Sequence, residues 1–375
     1  MDGDRLLKEA LADGQEISSG KPTLQQLARQ RLPITVPWSP GLDVYPGQTF
    51  HSRLYRTADP WAKRSPFEGW SGEHGAPLAC GQGGQMVYLC ADGGTTGTFR
   101  SAKTQSTVVK EDHESYGFSA TVDLGFCNAS GSLQYDRNIS TNNDDIKTSV
   151  RSSYRCGSIL MRTAPALSQE AGLALKYGDG IDEFEERFGD YVLFGFNLGA
   201  DNAMMVSTSA ASLSTQERKS LTVKATALLF DVEYTEHFDS SSYAATSALS
   251  INGYDTLAGT TLNQSTSWKS SASVEFDEVQ RKTKSMRLLG DTLPSRVEAK
   301  AREAGLPLGR NNAEGDDDAA GRGLVDFAPI AGLETAVDRD TCRRLFASGL
   351  VVEVVLMPCR SLRSVQKWMC SDDVI

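Results

Sequence analysis

Histidine and cysteine are the first residues to consider for chemistry in this 375-residue chain. The four histidines are scattered along polar stretches, where exposure to solvent is their usual state. The seven cysteines include no Cys-x-x-Cys pair, so the spacing of a zinc site is absent. Free buried thiols are expected, and one or two disulfides are the alternative if the chain is exported. The motifs of a nucleophile elbow, a phosphate-binding loop and a His-Glu-x-x-His helix are also missing. We therefore expect no enzyme activity, no metal and no cofactor.

Three groups of acidic residues could bind a cation or transfer protons. They are Asp144 with Asp145, the run Asp316 to Asp318, and Glu183 with Glu185 and Glu186. The aspartate run lacks the spacing of an EF-hand loop, and charge runs of this kind are usually solvated. We interpret all three groups as solvated charges, and a paired-carboxylate site at the glutamates is the alternative.

Composition excludes some partners. The formal net charge is -10, whereas binding of duplex nucleic acid needs clustered Lys and Arg, so no nucleic-acid partner is expected. The first residues are acidic and contain no apolar stretch of the kind found in a secretory signal. The default expectation is a cytoplasmic location. Export by a route without a signal peptide, followed by membrane association, is the alternative.

The elements that could position functional residues centre on a glycine-marked apolar stretch from Phe188 to Met205. Glycines at 189, 195 and 199 punctuate a long apolar run, which predicts a strand that bends. The segment before it, Leu167 to Phe188, has helical spacing. Further strands are predicted at residues 85–91, 157–163 and 251–256, and a last pair of elements, helix or strand, is predicted at 326–346 and 350–357.

Two polar blocks contain period-two alternation, which is typical of a strand with one polar face. In the first block the apolar positions are Tyr116, Phe118, Ala120, Val122, Leu124 and Phe126. In the second block they are Leu221, Val223, Ala225, Ala227 and Leu229, and the phase slips by one before Tyr234. Such strands suit either an ordinary soluble sheet or a membrane hairpin, and the sequence leaves both open.

Changes in composition along the chain predict three parts. Residues 1–39 form an N-terminal helical extension, and prolines then mark the entry to a main domain at 40–355. Residues 356–375 form a tail without a clear pattern.

Part of the glycine-marked stretch resembles the signature of the membrane-attack-complex/perforin (MACPF) family, an aromatic-Gly-Thr-His-aromatic start followed by Leu-Gly-Gly. The matching positions are Phe188, Gly189, Leu198 and Gly199. The departures are Asp190, Tyr191, Val192 and Ala200, which stand at the Thr, His, second aromatic and last Gly. Asn252-Gly253 is similar to the Gly-Gly turn of the family, with the first Gly replaced. Shorter fungal MACPF-like proteins are the most similar in character.

The resemblance implies an α+β fold, in which a bent central antiparallel sheet of four strands is flanked by two helical clusters. It also implies a pore-forming, cytolytic toxin that oligomerises with itself on a lipid membrane. The blocks at about 101–150 and 207–250 would insert as two amphipathic hairpins of a β-barrel. The alternative is a non-lytic protein that retains the fold to bind a protein partner.

Overall fold

The computed structural model describes most of the chain, with gaps. The described residues are 24–38, 44, 46–55, 59–68, 85–90, 98–105, 132, 134–135, 138–139, 142–163, 166–210, 212–230, 247–268, 274–306, 308, 334–337 and 339–370.

Ten strands and eight α-helices have defined bounds within these residues, a 3-10 helix spans Cys359–Ser361, and described residues between 132 and 139 are also helical. The strands are β1 (Ile34–Pro37), β2 (Thr49–Phe50), β3 (Gln85–Cys90), β4 (Thr98–Gln105), β5 (Ile146–Thr163), β6 (Tyr191–Thr208), β7 (Ala248–Asp255), β8 (Thr260–Ser267), β9 (Glu334–Val337) and β10 (Val351–Pro358). The helices are α1 (Leu24–Arg29), α2 (Gln169–Tyr177), α3 (Ile181–Phe188), α4 (Thr215–Phe230), α5 (Val274–Asp291), α6 (Leu293–Glu303), α7 (Arg339–Ser348) and α8 (Arg363–Cys370).

All ten strands belong to one sheet with antiparallel pairing, and β5 and β6, of 18 residues each, run through its whole length. We call the part around 157–163 of β5 and 191–198 of β6 the proximal half, where the strand order is β1-β10-β6-β5-β3-β9. We call the part around 146–155 and 200–208 the distal half, where the order is β4-β5-β6-β7-β8. The α+β class is confirmed.

The sheet has ten strands, so the prediction of a four-stranded sheet was wrong in this detail. The additional strands come mainly from the two ends of the chain, because β1 pairs with β10 and β10 with the proximal half of β6. β10 continues to Pro358, past the predicted boundary at 355/356.

The two halves meet at an irregularity in the pairing of β5 with β6. Arg155 lies opposite Gly199 and Gly157 opposite Leu198, so Cys156 is an extra residue on β5. β10 also shifts its register against β6 at this level, between Val351 and Glu353. One extra residue on a strand is a β-bulge, and bulges bend the strand and increase its twist. The bulge marks the point at which the predicted bend of the sheet would lie, and we call this level of the sheet the bend.

The core of the proximal half is built from apolar clusters on both sides of β6. Tyr191 and Leu193 pack with α1, β1 and β10, whereas Val192 packs with α2, α3 and α8. Phe196 and Leu198, nearer the bend, pack with α6 and α7. Strands buried on both faces read as continuous apolar runs, which is what the sequence of β6 shows here.

The distal half is also covered on both faces. Met204 and Val206 of β6 pack against α4 and α5 on one face. Ala203 and Met205 pack on the other face against Tyr135, which lies in a helical stretch. Helices that belong to the connections between strands thus cover the small and polar strands of this half.

The helices α2 and α3 confirm the helical spacing read from Leu167 to Phe188. The alternation at 221–234 predicted a strand, but residues 215–230 form helix α4, so this prediction was wrong for the described state. The sequence analysis assigned no structure to α5 and α6, or to α8 in the tail. The alternation from Tyr116 to Phe126 lies outside the described residues.

Candidate functional site

The predicted signature begins where α3 ends, and its first two residues have structural roles there. The Phe188 ring is buried against Phe184. Gly189 follows with φ +98°, and a Cβ at this position would lie 2.8 Å from the Phe50 carbonyl oxygen. An L-residue side chain rarely adopts this backbone conformation, so glycine is required for both reasons.

Asp190 and Tyr191, two of the four departures from the family signature, are both held by neighbours. The Asp190 carboxylate accepts hydrogen bonds from the Ser52 backbone N–H at 2.7 Å and from the Ser52 hydroxyl at 2.5 Å. The Tyr191 hydroxyl donates to the Leu32 carbonyl at 2.8 Å. Burial, with the nearby Asp190 charge, raises the pKa of Tyr191, so its hydroxyl stays a donor. These residues fix the start of β6 to the N-terminal segment.

Glu185 was expected to be solvated with Glu183 and Glu186, and this was wrong. Its side chain is 8% exposed and binds two arginines that are far apart in sequence. Arg31 donates to one carboxylate oxygen at 2.7 Å, and Arg360 donates to the other at 3.0 Å. A buried carboxylate needs such partners, because an unpaired buried charge is costly. Glu185 thus joins segments near both ends of the described chain.

The other predicted hinge glycines all lie at close backbone approaches within the sheet. A Cβ at Gly195 would lie 2.1 Å from the Ile159 carbonyl oxygen, and one at Gly253 would lie 2.9 Å from the Ala203 carbonyl oxygen. Gly199 is at the bend with φ +155°, and its Cβ would lie 2.0 Å from the Tyr154 carbonyl oxygen. Leu198, beside it, is fully buried. The glycines are needed for the packing of adjacent strands.

A group of polar side chains lies across the bend, and we call Arg155, Asp201, Glu353, Asn197 and Ser158 the bend cluster. Arg155 binds both Asp201 oxygens, at 3.0 and 2.9 Å, and its Nη2 lies 3.5 Å from Glu353. Asn197 donates to Glu353 at 2.8 Å and accepts from Ser158 at 2.8 Å. The cluster therefore joins β5, β6 and β10 on both sides of the bend.

Asp201 is the most strongly perturbed acid of this cluster. Burial alone would raise its pKa, but the charges of Arg155 and Arg151 outweigh that effect and lower the pKa of Asp201 to about 2. Hydrogen bonds from Arg155 and from the Ser153 hydroxyl act in the same direction. Asp201 is therefore ionised throughout the neutral and mildly acidic range.

A second polar group ties the distal half to the α5–α6 pair. Arg296 of α6 donates to both oxygens of the fully buried Asp255, at 2.8 and 2.9 Å. Asn202 donates to Asp255 at 3.0 Å and to the Met286 carbonyl at 3.2 Å. This arrangement satisfies the buried carboxylate and positions α5 and α6 over β6 and β7.

The predicted insertion residues of the second block lie on α4. Leu221 and Leu229 are buried beneath the helix, but Val223 points away from the sheet and is 54% exposed. The structure thus separates residues that strict alternation would place on one face, because a helix repeats every 3.6 residues and a strand every two. The insertion candidates of the first block, Tyr116, Phe118, Val122, Leu124 and Phe126, lie outside the described residues.

None of the bend-cluster residues was predicted from the sequence to be functional. Arg155, Asp201 and Glu353 lie far apart in the chain, and only folding brings them together. One signal was available, since Glu353 interrupts the apolar run of β10 and an isolated charge in a buried strand must find a partner.

The described part of the chain was compared with two further patterns, a cluster of metal ligands and a membrane-spanning helix. No group of three or more His, Cys, Asp or Glu side chains there could hold a metal ion. Among the same residues, no helix is both long enough and apolar enough to cross a bilayer.

Comparison with known proteins gives weak structural similarities only. No protein-family model matches the chain, and no curated protein matches it. Solved structures with partial similarity include GNIP1Aa from Chromobacterium piscinae, at 13% identity and TM-score 0.26, with 70% of this chain and 50% of that chain covered. The cytotoxin suilysin from Streptococcus suis has 11% identity and TM-score 0.29, with 69% and 55% covered.

A third similar structure is a putative cell invasion protein with a MAC/Perforin domain from Bacteroides thetaiotaomicron. It has 11% identity and TM-score 0.24, with 73% of this chain and 66% of that chain covered. The chain spans about half the length of the first two structures. TM-scores of this size do not establish a shared fold, so the function must be inferred from the geometry of this chain.

Proposed function

We propose that this protein perturbs membranes by moving segments of its distal half off the sheet and into a bilayer, where copies assemble into a pore. The observation that carries the proposal is helix α4, whose residue order is that of a strand. Local sequence preference and local structure normally agree, and a conflict between them is expected mainly at functional sites.

In α4, the order of apolar and polar residues is that of a strand, whereas the backbone is helical. As a strand, residues 221–229 would place Leu221, Val223 and Leu229 on one face and Thr222, Lys224 and Thr226 on the other. As a helix, the same order leaves Val223 in solvent and buries most of Lys224. The β-branched residues Val and Thr also favour strands over helices. Residues 215–230 exceed the roughly 9 to 11 residues that a membrane-spanning strand needs.

The position of α4 in the chain also supports the proposal. It lies in the connection between the adjacent antiparallel strands β6 and β7, at 209–247, and a matching connection at 106–145 joins β4 to β5. Each has about 40 residues, although an antiparallel hairpin needs only about 2 to 5. Both connections leave the same end of the distal half. Extending them would lengthen four neighbouring strands at once.

Assembly of several copies follows from the chemistry of the backbone. Backbone N–H and C=O groups cannot remain unpaired in hydrocarbon, so inserted strands must form a closed β-barrel. Within the described strands, β4 pairs with β5 alone and β8 with β7 alone. These edges offer backbone groups through which copies could join, as open sheet edges commonly do. We propose that the partners are a lipid membrane and further copies of the chain.

The test uses two lysine substitutions on the exposed surface of α4. Val223→Lys and Gln216→Lys add the same charge at exposed positions, so both should keep the urea midpoint of the native protein. In a strand, residue 223 falls on the apolar face and residue 216 on the polar face. A lysine facing lipid costs about 2–4 kcal/mol near the midplane. Dye release from phosphatidylcholine vesicles, with and without cholesterol or phosphatidylserine, should fall strongly for Val223→Lys only.

A second function, non-lytic binding of a protein partner, is favoured by the attachments at the start of β6. Asp190, Tyr191 and Glu185 hold this region to segments from both ends of the described chain, which suits a rigid scaffold. If the native protein neither binds nor permeabilises any of these vesicles and forms no rings in electron micrographs, the membrane function is excluded and the binding function is favoured.

A further inference from the structure

The bend cluster contains a contact that joins the two halves of the sheet directly. Arg155 lies on the distal side of the bulge and pairs with Asp201, whereas Glu353 lies on the proximal side, opposite Asn197. The Arg155 Nη2 atom lies 3.5 Å from a Glu353 oxygen. A change in the angle between the halves changes this distance, because Arg155 and Glu353 lie on opposite sides of the bulge, on the two strands that flank β6.

Arg155 also binds the backbone at the bulge itself. Its Nη1 atom lies 3.3 Å from the Tyr154 carbonyl oxygen and 3.2 Å from the Ala200 carbonyl oxygen, and it donates to both. The planar guanidinium can contact carbonyls and carboxylates at the same time, which the single ammonium of lysine cannot do. One side chain thus binds the irregular backbone of the bend and a carboxylate from each half.

A gain in stability does not by itself explain the bend cluster. Asp201 and Glu353 have side chains that are 3% and 8% exposed, so both lose most of their hydration. Replacing a buried ion pair by apolar residues is often neutral or stabilising, whereas removing one partner is strongly destabilising. On the other face of the bend, Cys156, Leu198 and Ala200 pack in an apolar cluster with α6. One face of the bend is therefore apolar and the other is charged, and a role in positioning the two halves accounts for the charges.

We propose that Arg155 and Glu353 form a latch across the bend that holds the distal half at its present angle, with Asp201 keeping Arg155 in position. The latch is a property of the protein in solution, before it meets a membrane. The further expectation that opening the latch speeds the release of the distal segments rests on the proposed membrane function. Arg155 and Glu353 are positioning residues, because they act through the geometry of the sheet.

The test is hydrogen–deuterium exchange of the protein in solution, without lipid. Glu353→Gln removes the charge across the bend and leaves the Arg155–Asp201 pair intact. Peptides that cover residues 153–158 and 196–202 should exchange about tenfold faster, whereas a peptide covering 188–193 should keep its native rate. Arg155→Lys, which retains the charge but loses the multiple contacts, should give the same local pattern.

The matched control is Glu185→Gln, which removes another buried carboxylate bound by two arginines, entirely within the proximal half. It should speed exchange around residues 185–191 and leave the bend unchanged. The latch is refuted if Glu353→Gln leaves exchange at the bend at its native rate, or accelerates all strands uniformly as a general loss of stability would. Because no membrane is present, this result is independent of whether the protein permeabilises vesicles.

Discussion

Strands β5 and β6 each run through both halves of the sheet, but the two halves differ in residue composition and in the elements that cover them. In the proximal half, β6 reads Tyr-Val-Leu-Phe from residue 191 and packs between helices and strands that come from both ends of the described chain. In the distal half it reads Ala-Asp-Asn-Ala from residue 200, and helices of the adjoining connections cover it.

This difference determines which part of the molecule can change without unfolding the rest. Removing α4 from the distal half breaks its packing against β5, β6 and α5 but leaves both ends of the described chain attached to the sheet. Separating the proximal clusters would instead require the two ends of the described chain to detach from the sheet. We therefore expect the proximal half to be the permanent scaffold and the distal half the part that rearranges.

The largest effect on stability is expected from a substitution at the bend, where the two halves join. Gly199→Ala places a Cβ 2.0 Å from the Tyr154 carbonyl oxygen, and neither backbone can move without breaking the sheet. We expect a loss of about 4 kcal/mol or more in the free energy of unfolding, or failure to fold. Gly259→Ala is the control, because its φ of +61° is strained for alanine but nothing lies within 4 Å. That change should cost only about 1–2 kcal/mol by urea unfolding. Equal costs at the two glycines would contradict a tightly packed bend.

The next prediction compares one leucine from each half. Leu193 and Leu221 are both fully buried, so Leu→Ala at either removes a similar volume at a cost of about 2–5 kcal/mol. Leu193→Ala should lower the urea midpoint of the whole protein. If α4 detaches on its own as proposed, Leu221→Ala should act mainly on hydrogen exchange of residues 215–230.

If Leu221→Ala instead destabilises every strand to the same extent as Leu193→Ala, the two halves unfold as one unit. The distinction between a permanent and a removable covering would then be lost.

A smaller effect is expected from the acid at the bend. The native pKa of Asp201 is about 2, below the 3.8 expected for an unpaired aspartate. A lowered native pKa contributes stability above the unfolded-state value, and this contribution is lost as the pH falls through 3.8 towards about 2. Its size is about 2 kcal/mol. Urea unfolding of the native protein and of Asp201→Asn, measured at decreasing pH, should show that the variant loses less stability in acid. An equal loss of stability in the two proteins would contradict the lowered pKa of Asp201.

Sequence reasoning identified the features of the fold that depend on local pattern. The length of β6, its glycines, the helical spacing before Phe188 and the strand at Ile251 all follow from periodicity and from glycine chemistry. The charged segment from Arg281 was not recognised as helical. Its buried positions recur every three to four residues, but several of them are small or polar, such as Thr283, Gly290 and Ala301, so the apolar periodicity is weak.

Features that depend on distant partners could not be predicted. Arg155 contacts Glu353 across almost 200 residues, and Glu185 meets Arg31 and Arg360 only after folding. The wrong prediction of a strand at α4 has a different cause, because the strand pattern there is clear but tertiary packing makes the segment helical. In the proposed function, this difference between sequence pattern and structure is what allows the segment to become a strand in the membrane.

The measurement that tests the central claim most directly is the amide I infrared spectrum of the protein in solution and after binding to vesicles that it permeabilises. The account predicts that helical absorption falls and antiparallel strand absorption rises on binding, with faster conversion in Glu353→Gln. It also predicts that Val223→Lys binds without converting fully. Dye release from vesicles with an unchanged helical content would contradict it, because α4 would then act as a helix and its strand pattern would have no role.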